Sequence, residues 1–441
     1  MGTLCCAAVA AVVVAAQGGG RPLPLRSPAP VTPRLLAMVS APGGSRLAQV
    51  DPATFAVQRA SPAVGWYDGW VALPDGKLLA LATHADGTDA SISVLRFATA
   101  ATLGFARQGV RLDGYFLAAI WPRGRILYAL TGDCCDASLT LDTVDTVAKK
   151  VVARTNIDGP ALDVARSADG LVLLAAPDNA IGPARMTAIG PDGSVRSLQL
   201  SRILAGTHFD RSSQDPIGST RRPGLAVDPG NDVAYVVDQD GLVAEIQLAD
   251  LAVTYHRPGS GSLLDRIAGW LTPSAQAKGL NGPMLTATWL GDGLLAVTGT
   301  DYSASRARDG SVTFSSAPAG LRIVDTDDWS VRTLDARTEN VVVADGILLA
   351  VGGGWSSSRS GEAASGEGVA AYGADGSLRW RLDVGARMVL IAAYRTRALV
   401  QKAMTGANGN QRLQLVDLTT GHIIRTLPGD DSPWLLLGSG S

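Results

Sequence analysis

Gly69–Ala82 reads GWVALPDGKLLALA: an apolar strand, a Pro-Asp-Gly turn, and a second apolar strand. Residues that tolerate positive φ between two such runs specify a tight antiparallel hairpin. The same strand–turn–strand unit returns at Phe116–Leu130, Leu162–Ala176, Gly224–Val237, Leu285–Val297, Asn340–Val351 and Met388–Gln401. A second pair of strands follows each unit after a variable loop. Examples are Ser91–Phe105, Leu242–Tyr255, Leu321–Leu334, Val369–Leu382 and Leu413–Leu427. The last strand of each set often alternates apolar with polar residues, as a half-buried outer strand does. A unit of four antiparallel strands, repeated along the chain, predicts a β-propeller.

Seven repeats are complete and an eighth is split. Arg34–Ala60 carries a second, third and fourth strand without a first. Ser432–Gly438 (SPWLLLG) is a lone apolar strand with no followers. The two fragments complement each other, so the C-terminal strand is expected to join the N-terminal blade and shut the ring. The expectation is one closed all-β propeller of eight four-stranded blades, with seven as the alternative because the repeat spacing is irregular.

The composition agrees. The chain has 441 residues, 51 of them glycine, and only 18% are charged. Its 38 basic and 40 acidic residues give a net charge of -2, which draws it neither to nucleic acid nor to an anionic membrane. Thr3–Ala16 (TLCCAAVAAVVVAA) is uncharged and apolar, and a Gly/Pro-rich stretch follows. A run of that length fits the core of an export signal and is shorter than the roughly 20 residues of a membrane span. No Lys or Arg precedes it. The expected division is a signal-like segment at 1–17, a linker at 18–33 and the propeller from 34 to 441. The address is then secreted or envelope-associated, with membrane contact at most through the N-terminal segment. Four cysteines in two adjacent pairs provide no long-range disulfide framework.

The repeats resemble those of bacterial secreted β-propellers of the YVTN, WD40-like and quinoprotein-like type, over nearly the whole chain after residue 33. The Gly-His and Trp-Asp signatures of WD40 blades are absent, and the quinoprotein-like Asp375–Trp380 occurs once. The resemblance implies the fold and leaves the function open, because propellers host unrelated roles.

Candidate sites are sparse, and none is catalytic. Cys134 and Cys135 stand adjacent in a loop after a second strand. They read as a turn-stiffening vicinal disulfide, as free thiols, or, by resemblance to eight-bladed quinoprotein dehydrogenases, as a ring stacked on a quinone. The four histidines, His84, His208, His256 and His422, share no metal-ligand spacing. No G-x-S-x-G elbow is present. Asp325–Asp328 and Gly429–Asp431 are acidic turns in which side-chain caps compete with calcium binding as the explanation. No metal site and no cofactor are expected, with calcium or a quinone as the lesser alternatives. Ser260–Pro273 breaks the β pattern with a capping box and an apolar helical face, so a helix carrying Trp270 is expected there, packed on the ring or docking a partner. Gly352–Gly368 (GGGWSSSRSGEAASGEG) reads as an exposed polar loop in which Trp355 offers a stacking surface for a sugar or aromatic ligand.

The resulting reading is a binding or interaction scaffold, with an unidentified protein, small-molecule or glycan ligand at one rim. The alternative is an enzyme with a central-channel site, a quinoprotein-like dehydrogenase or a metal-dependent hydrolase or lactonase. Such a site needs polar residues converging at the inner strand ends. The inner strands are mostly apolar, with Asp163, Asp228 and Asp345 as isolated exceptions.

Overall fold

The computed structural model describes residues 21–25, 35–41, 44–63, 67–73, 76–84, 93–114, 116–132, 138–168, 170–178, 180–210, 217–258, 282–306, 312–358, 361–386, 388–402, 412–427 and 433–437. The described chain is all β, and every strand pair is antiparallel apart from one isolated bridge. No helix among the described residues is long and apolar enough to cross a membrane.

The strands group into eight four-stranded units. Blade 1 pairs Pro433–Leu437 with Leu36–Ala41, then Gly44–Val50 and Val57–Ala60. The register sets Leu36 opposite Leu437 and Met38 opposite Leu435, so the C-terminal strand supplies the missing first strand of the N-terminal blade. Blade 2 runs Tyr67–Ala72, Leu78–His84, Ser93–Thr99 and the short Val110–Arg111. Blade 3 is Phe116–Arg123, Ile126–Gly132, Ser138–Asp145 and Lys150–Asp158. Blade 4 is Ala161–Arg166, Leu171–Ala175, Gly182–Ile189 and the long Val195–Asp210, whose far end pairs with Ile217–Arg221. Blade 5 is Gly224–Asp228, Val233–Val237, Val243–Gln247 and Val253–His256. Blade 6 is Gly282–Gly291, Leu294–Arg306, Leu321–Asp325 and Val331–Asp335, with Val312–Pro318 as an additional strand. Blade 7 is Asn340–Ala344, Ile347–Ser358, Gly361–Tyr372 and Leu378–Leu382, and blade 8 is Met388–Tyr394, Arg397–Lys402, Arg412–Asp417 and Ile423–Leu427.

The core shows how these units assemble. It divides into eight apolar clusters, and each lies between blades that follow one another. One joins blade 1 to blade 2 through Leu36, Met38, Leu79 and Leu81. Another joins blade 4 to blade 5 through Val172, Leu200, Leu225 and Val236. The eighth packs Leu399 and Leu415 of blade 8 against Ala37, Val50 and Phe55 of blade 1, which completes the circle. Large and β-branched side chains on both faces of every sheet exclude water from each seam, and this burial drives the ring together.

Antiparallel alternation sorts the connections onto two faces. First-to-second and third-to-fourth strand turns leave one rim, and all other connections leave the opposite rim. Turns on the first rim are short and locally capped. Asp51 accepts from the amides of Ala53 and Thr54, Asp145 from Val147 and Ala148, Asp250 from Ala252, and Asp417 from Thr419 and Thr420. Each carboxylate satisfies amides that the turn leaves unpaired. The opposite rim carries the hairpin of blade 4 and the elongated strands of blades 6 and 7.

One sequence expectation is corrected here. The described part of Gly352–Gly368 is a hairpin with one register shift after Gly352, in which Gly352 pairs with Gly368, Trp355 with Ala364 and Ser358 with Gly361. Its small side chains gave no period-2 hydrophobic signal. The backbone is satisfied instead by neighbours on both sides, because Phe314, Ser315 and Ser316 pair with Ser357, Ser356 and Trp355.

Candidate functional site

The central channel is the natural place for an enzyme site. Its polar groups on blades 3 to 5 are occupied in joining inner strands. Asp163 accepts from the Val164 amide at 2.9 Å and from the Leu225 amide of blade 5 at 3.4 Å. Arg222 donates to the Leu162 carbonyl, and Arg166 to the Ile120 carbonyl of blade 3 at 3.0 Å. Burial pushes the Asp163 carboxyl up from its ordinary value, against the two amides and Arg222. A raised carboxyl in a channel is a recognised mark of catalytic sites. Here the geometry gives it a different task, holding successive inner strands together. Asp228 is spent on the amides of Gly230 and Asn231 in its own turn, and Asp345 sits in the turn before Ile347 with φ 48°.

The rim with the long connections offers more. Over blades 6 and 7, four strands extend past the blades and pair side by side: Leu294–Arg306, Val312–Pro318, Ile347–Ser358 and Gly361–Tyr372. This canopy joins two blades into one continuous hydrogen-bonded sheet, which no other seam does among the described residues; the blade 5–6 seam has a single bridge, between Arg222 and Met284. One transverse row across it runs Tyr302, Ser316, Trp355, Ala364. Tyr302 is 37% exposed and Phe314, two residues from Ser316, is 38% exposed. Ser303 and Ser315 meet hydroxyl to hydroxyl at 2.5 Å on the alternate row. The Ser303–Ser315 pair faces the other side of the sheet, so Tyr302 and Phe314 form a flat aromatic surface of their own, suited to a ligand with an apolar face. On the same rim, a cleft of about 650 Å³ opens between blades 3 and 4, lined by Ser138, Asp158, Pro177, Asp178, Arg185 and Gln199. Arg185 faces Asp158 across it at 3.6 Å.

The sequence candidates are placed as follows. Trp355 lies on a canopy strand. Cys134 and Cys135 fall outside the described residues. Trp270, the expected helix near 260–273 and the signal-like segment also fall outside. The histidines do not converge: His208 pairs with Ser219 on the blade 4 hairpin, and His422 lies in a blade 8 turn. His256 stacks on Trp329 with ring centres 3.7 Å apart and meets Glu245 at 2.8 Å, in the blade 5–6 seam. Asp325 and Asp328 cap the amides of Asp327 and Ser330, and Asp327 pairs with Arg21. No group of three or more possible metal ligands exists among the described residues.

No protein-family model matches the chain, and no curated protein matches its sequence. Solved structures are similar in architecture at low identity. AztD from Citrobacter koseri matches at 12% identity and a TM-score of 0.46, over 91% of this chain and 96% of that one. BamB from Moraxella catarrhalis matches at 13% and 0.43, over 82% and 88%. The β-propeller domain of the trilobed protease from Pyrococcus furiosus matches at 13% and 0.38, over 73% and 89%. The chain is a β-propeller. That statement rests on its own strand pairing, and no residue role passes from these proteins.

Sequence reasoning missed the canopy. The run Val312–Pro318 (VTFSSAP) carries alternating Val, Phe and Ser, a strand signal hidden by a repeat search that expects four strands per blade.

Proposed function

We propose that this propeller is an extracytoplasmic binding scaffold whose ligand seats on the canopy over blades 6 and 7. The observation that carries the reading is the contrast between channel and canopy. In the channel, Asp163, Arg166 and Arg222 are committed to neighbouring backbones. On the canopy, Tyr302 and Phe314 stand partly open on a sheet braced by two blades. Rigid backbone beneath exposed aromatics lowers the ordering cost of binding. The apolar Thr3–Ala16 run supports export. A glycan or a protein of the cell envelope is the ligand class that suits both address and surface.

The test uses cell-envelope fractions from the source organism and the exported protein. The parent is expected to co-sediment saturably with the envelope. A Tyr302→Ser/Phe314→Ser variant should lose at least tenfold in affinity while its melting temperature stays within a few degrees. Unchanged co-sedimentation by the variant removes the canopy from the reading. Stoichiometric uptake of a quinone or calcium by the purified parent would favour the channel enzyme instead.

A further inference from the structure

Seven of the eight seam clusters are built from blade strands and their turns alone. The eighth, between blades 6 and 7, also contains Leu23 and Leu25, which lie outside the repeat. Leu23 is 2% exposed and Leu25 7%, packed with Leu290, Leu294, Val341 and Leu348. The segment Arg21–Leu25 (RPLPL) lies on the tight-turn rim, opposite the canopy; the Leu25 amide bonds back to the Leu23 carbonyl at 2.9 Å, and the other polar contacts reach turns or strand ends of these two blades. The Leu23 amide donates to the Ala374 carbonyl of blade 7. The Arg21 guanidinium meets Asp327 of blade 6 at 2.5 Å, and the Arg21 carbonyl accepts from Arg332 at 2.8 Å. Pro22 and Pro24 have no amide to satisfy, and the amides of Leu23 and Leu25 are both met, the first by the ring and the second by the Leu23 carbonyl.

The receiving surface is shaped for this segment. Gly293 has φ +78°, and a Cβ there would stand 3.0 Å from Asp327 Oδ1 and 3.2 Å from Arg21 Nη1. Gly291, at φ +105°, backs onto Pro24, where a Cβ would sit 3.4 Å from Cγ. Glycine at 293 therefore leaves room for the ion pair, and glycine at 291 supplies the positive φ of the turn that touches Pro24. The site thus combines two leucine pockets, an anionic anchor, a carbonyl acceptor and a glycine floor.

We propose that the blade 6–7 seam is a peptide-binding site for an Arg-Pro-Leu-Pro-Leu segment that turns at Pro24, filled in this molecule by its own residues 21–25 and open to the same segment in trans once that clasp is released. Leader removal before Arg21 keeps the clasp, whereas cleavage after Leu25 frees the site. This proposal concerns the rim opposite the canopy and stands independently of the ligand proposed there.

The experiment measures fluorescence anisotropy of a labelled peptide, GGRPLPLRS, the sequence of residues 19–27. It is titrated with the parent, with Leu23→Asp/Leu25→Asp, and with that variant also carrying Asp327→Arg. A tethered occupant competes at an effective concentration on the order of millimolar. The unclasped variant should therefore bind at least tenfold more tightly than the parent, and Asp327→Arg should remove at least tenfold. A peptide with both leucines changed to Asp should not bind. Absence of binding by an unclasped variant that melts cooperatively overturns the proposal, as does equal binding of the Asp-containing peptide. If the double variant does not fold, hydrogen exchange of the Leu23 amide is read in the full chain instead. Arg21→Glu should accelerate it at least tenfold, and unchanged exchange overturns the proposal.

Discussion

The strand Pro433–Leu437 and the segment Arg21–Leu25 both bring chain from an end of the sequence into the ring, and they do so by different means. The first enters blade 1 as its inner strand, paired to Leu36–Val39 with one register shift after Met38. The second adds no strand. It fills a groove with two leucines and makes one main-chain bond to the ring through its own amide, together with the Arg332 contact to its carbonyl. A strand is part of the repeat, so its removal leaves a sheet edge. A groove filler is a ligand of the repeat, so its removal leaves the sheet intact. The comparison teaches that the ring depends on one terminus for its integrity and uses the other for a reversible contact.

Deleting residues 432–441 tests the stronger half of that contrast and carries the largest expected effect. The deletion strips the inner strand from blade 1 and exposes the edge of Leu36–Ala41, whose backbone then seeks another partner. The expected outcome is loss of cooperative melting and a shift to aggregates in size-exclusion chromatography. A monomer with the parent's melting temperature would show that blade 1 holds together without its C-terminal strand.

A smaller loss is expected at Asp335, which joins blade 6 to blade 7. Its side chain is 5% exposed and accepts from the Tyr372 hydroxyl at 2.6 Å, from Arg381 and from the Arg337 amide at 2.9 Å. Burial raises its pKa, but the Tyr372 hydroxyl, Arg381 and the Arg337 amide together outweigh burial and leave it below the usual carboxylate value. Asp335→Asn should cost about 3–5 kcal/mol, because Arg381 is left charged and half-paired in a buried site. The sign with pH follows from the lowered value. The stabilisation is fully present above the unfolded-state pKa near 3.9 and fades as pH falls through the folded-state value. Chemical denaturation of parent and variant should thus converge at acid pH. Curves that stay parallel down to pH 3 would assign the loss to packing.

How much of this was legible in the sequence depends on periodicity. The split blade could be read because SPWLLLG is a strand by pattern and Arg34–Ala60 lacks one. The eight seams follow from repeated apolar pairs such as those in Gly69–Ala82. The canopy was only partly legible, since Gly352–Gly368 is mostly Gly, Ser and Ala and pairs through backbone groups that carry no sequence signal. Trp355 stood out by residue type, yet its place in a row with Tyr302 and Ser316 depends on the register of four strands. The clasp was not legible: RPLPL sits in a Gly/Pro-rich run, and its fit depends on Gly291, Gly293 and Asp327, some 270 residues or more away in the chain. The acidic turn 325–328 illustrates the same limit, because one of its carboxylates serves a partner no local pattern could name.

The finest test compares two leucines of equal size. Leu36 is wholly buried in blade 1 and Leu23 is nearly so in the clasp. By burial alone the two substitutions Leu36→Ala and Leu23→Ala should cost the same, about 2–5 kcal/mol. The comparison of the two termini says otherwise. Blade 1 cannot vacate its seam without unfolding, so Leu36→Ala carries the full loss of transfer and the cavity it leaves. The clasp can leave its groove while the ring stays folded, as a local opening. Its contribution to global stability is therefore capped at the free energy of docking, and Leu23→Ala cannot cost more than that. The expected result is a shift in denaturation midpoint for Leu23→Ala less than half that for Leu36→Ala, at equal slope. Hydrogen exchange should show the reverse order locally, with the Leu23 amide released in the Leu23→Ala variant and the inner strand of blade 1 unchanged. Equal midpoint shifts would mean that the clasp unfolds only with the whole ring, and that residues 21–25 belong to the fold as firmly as the strand Pro433–Leu437.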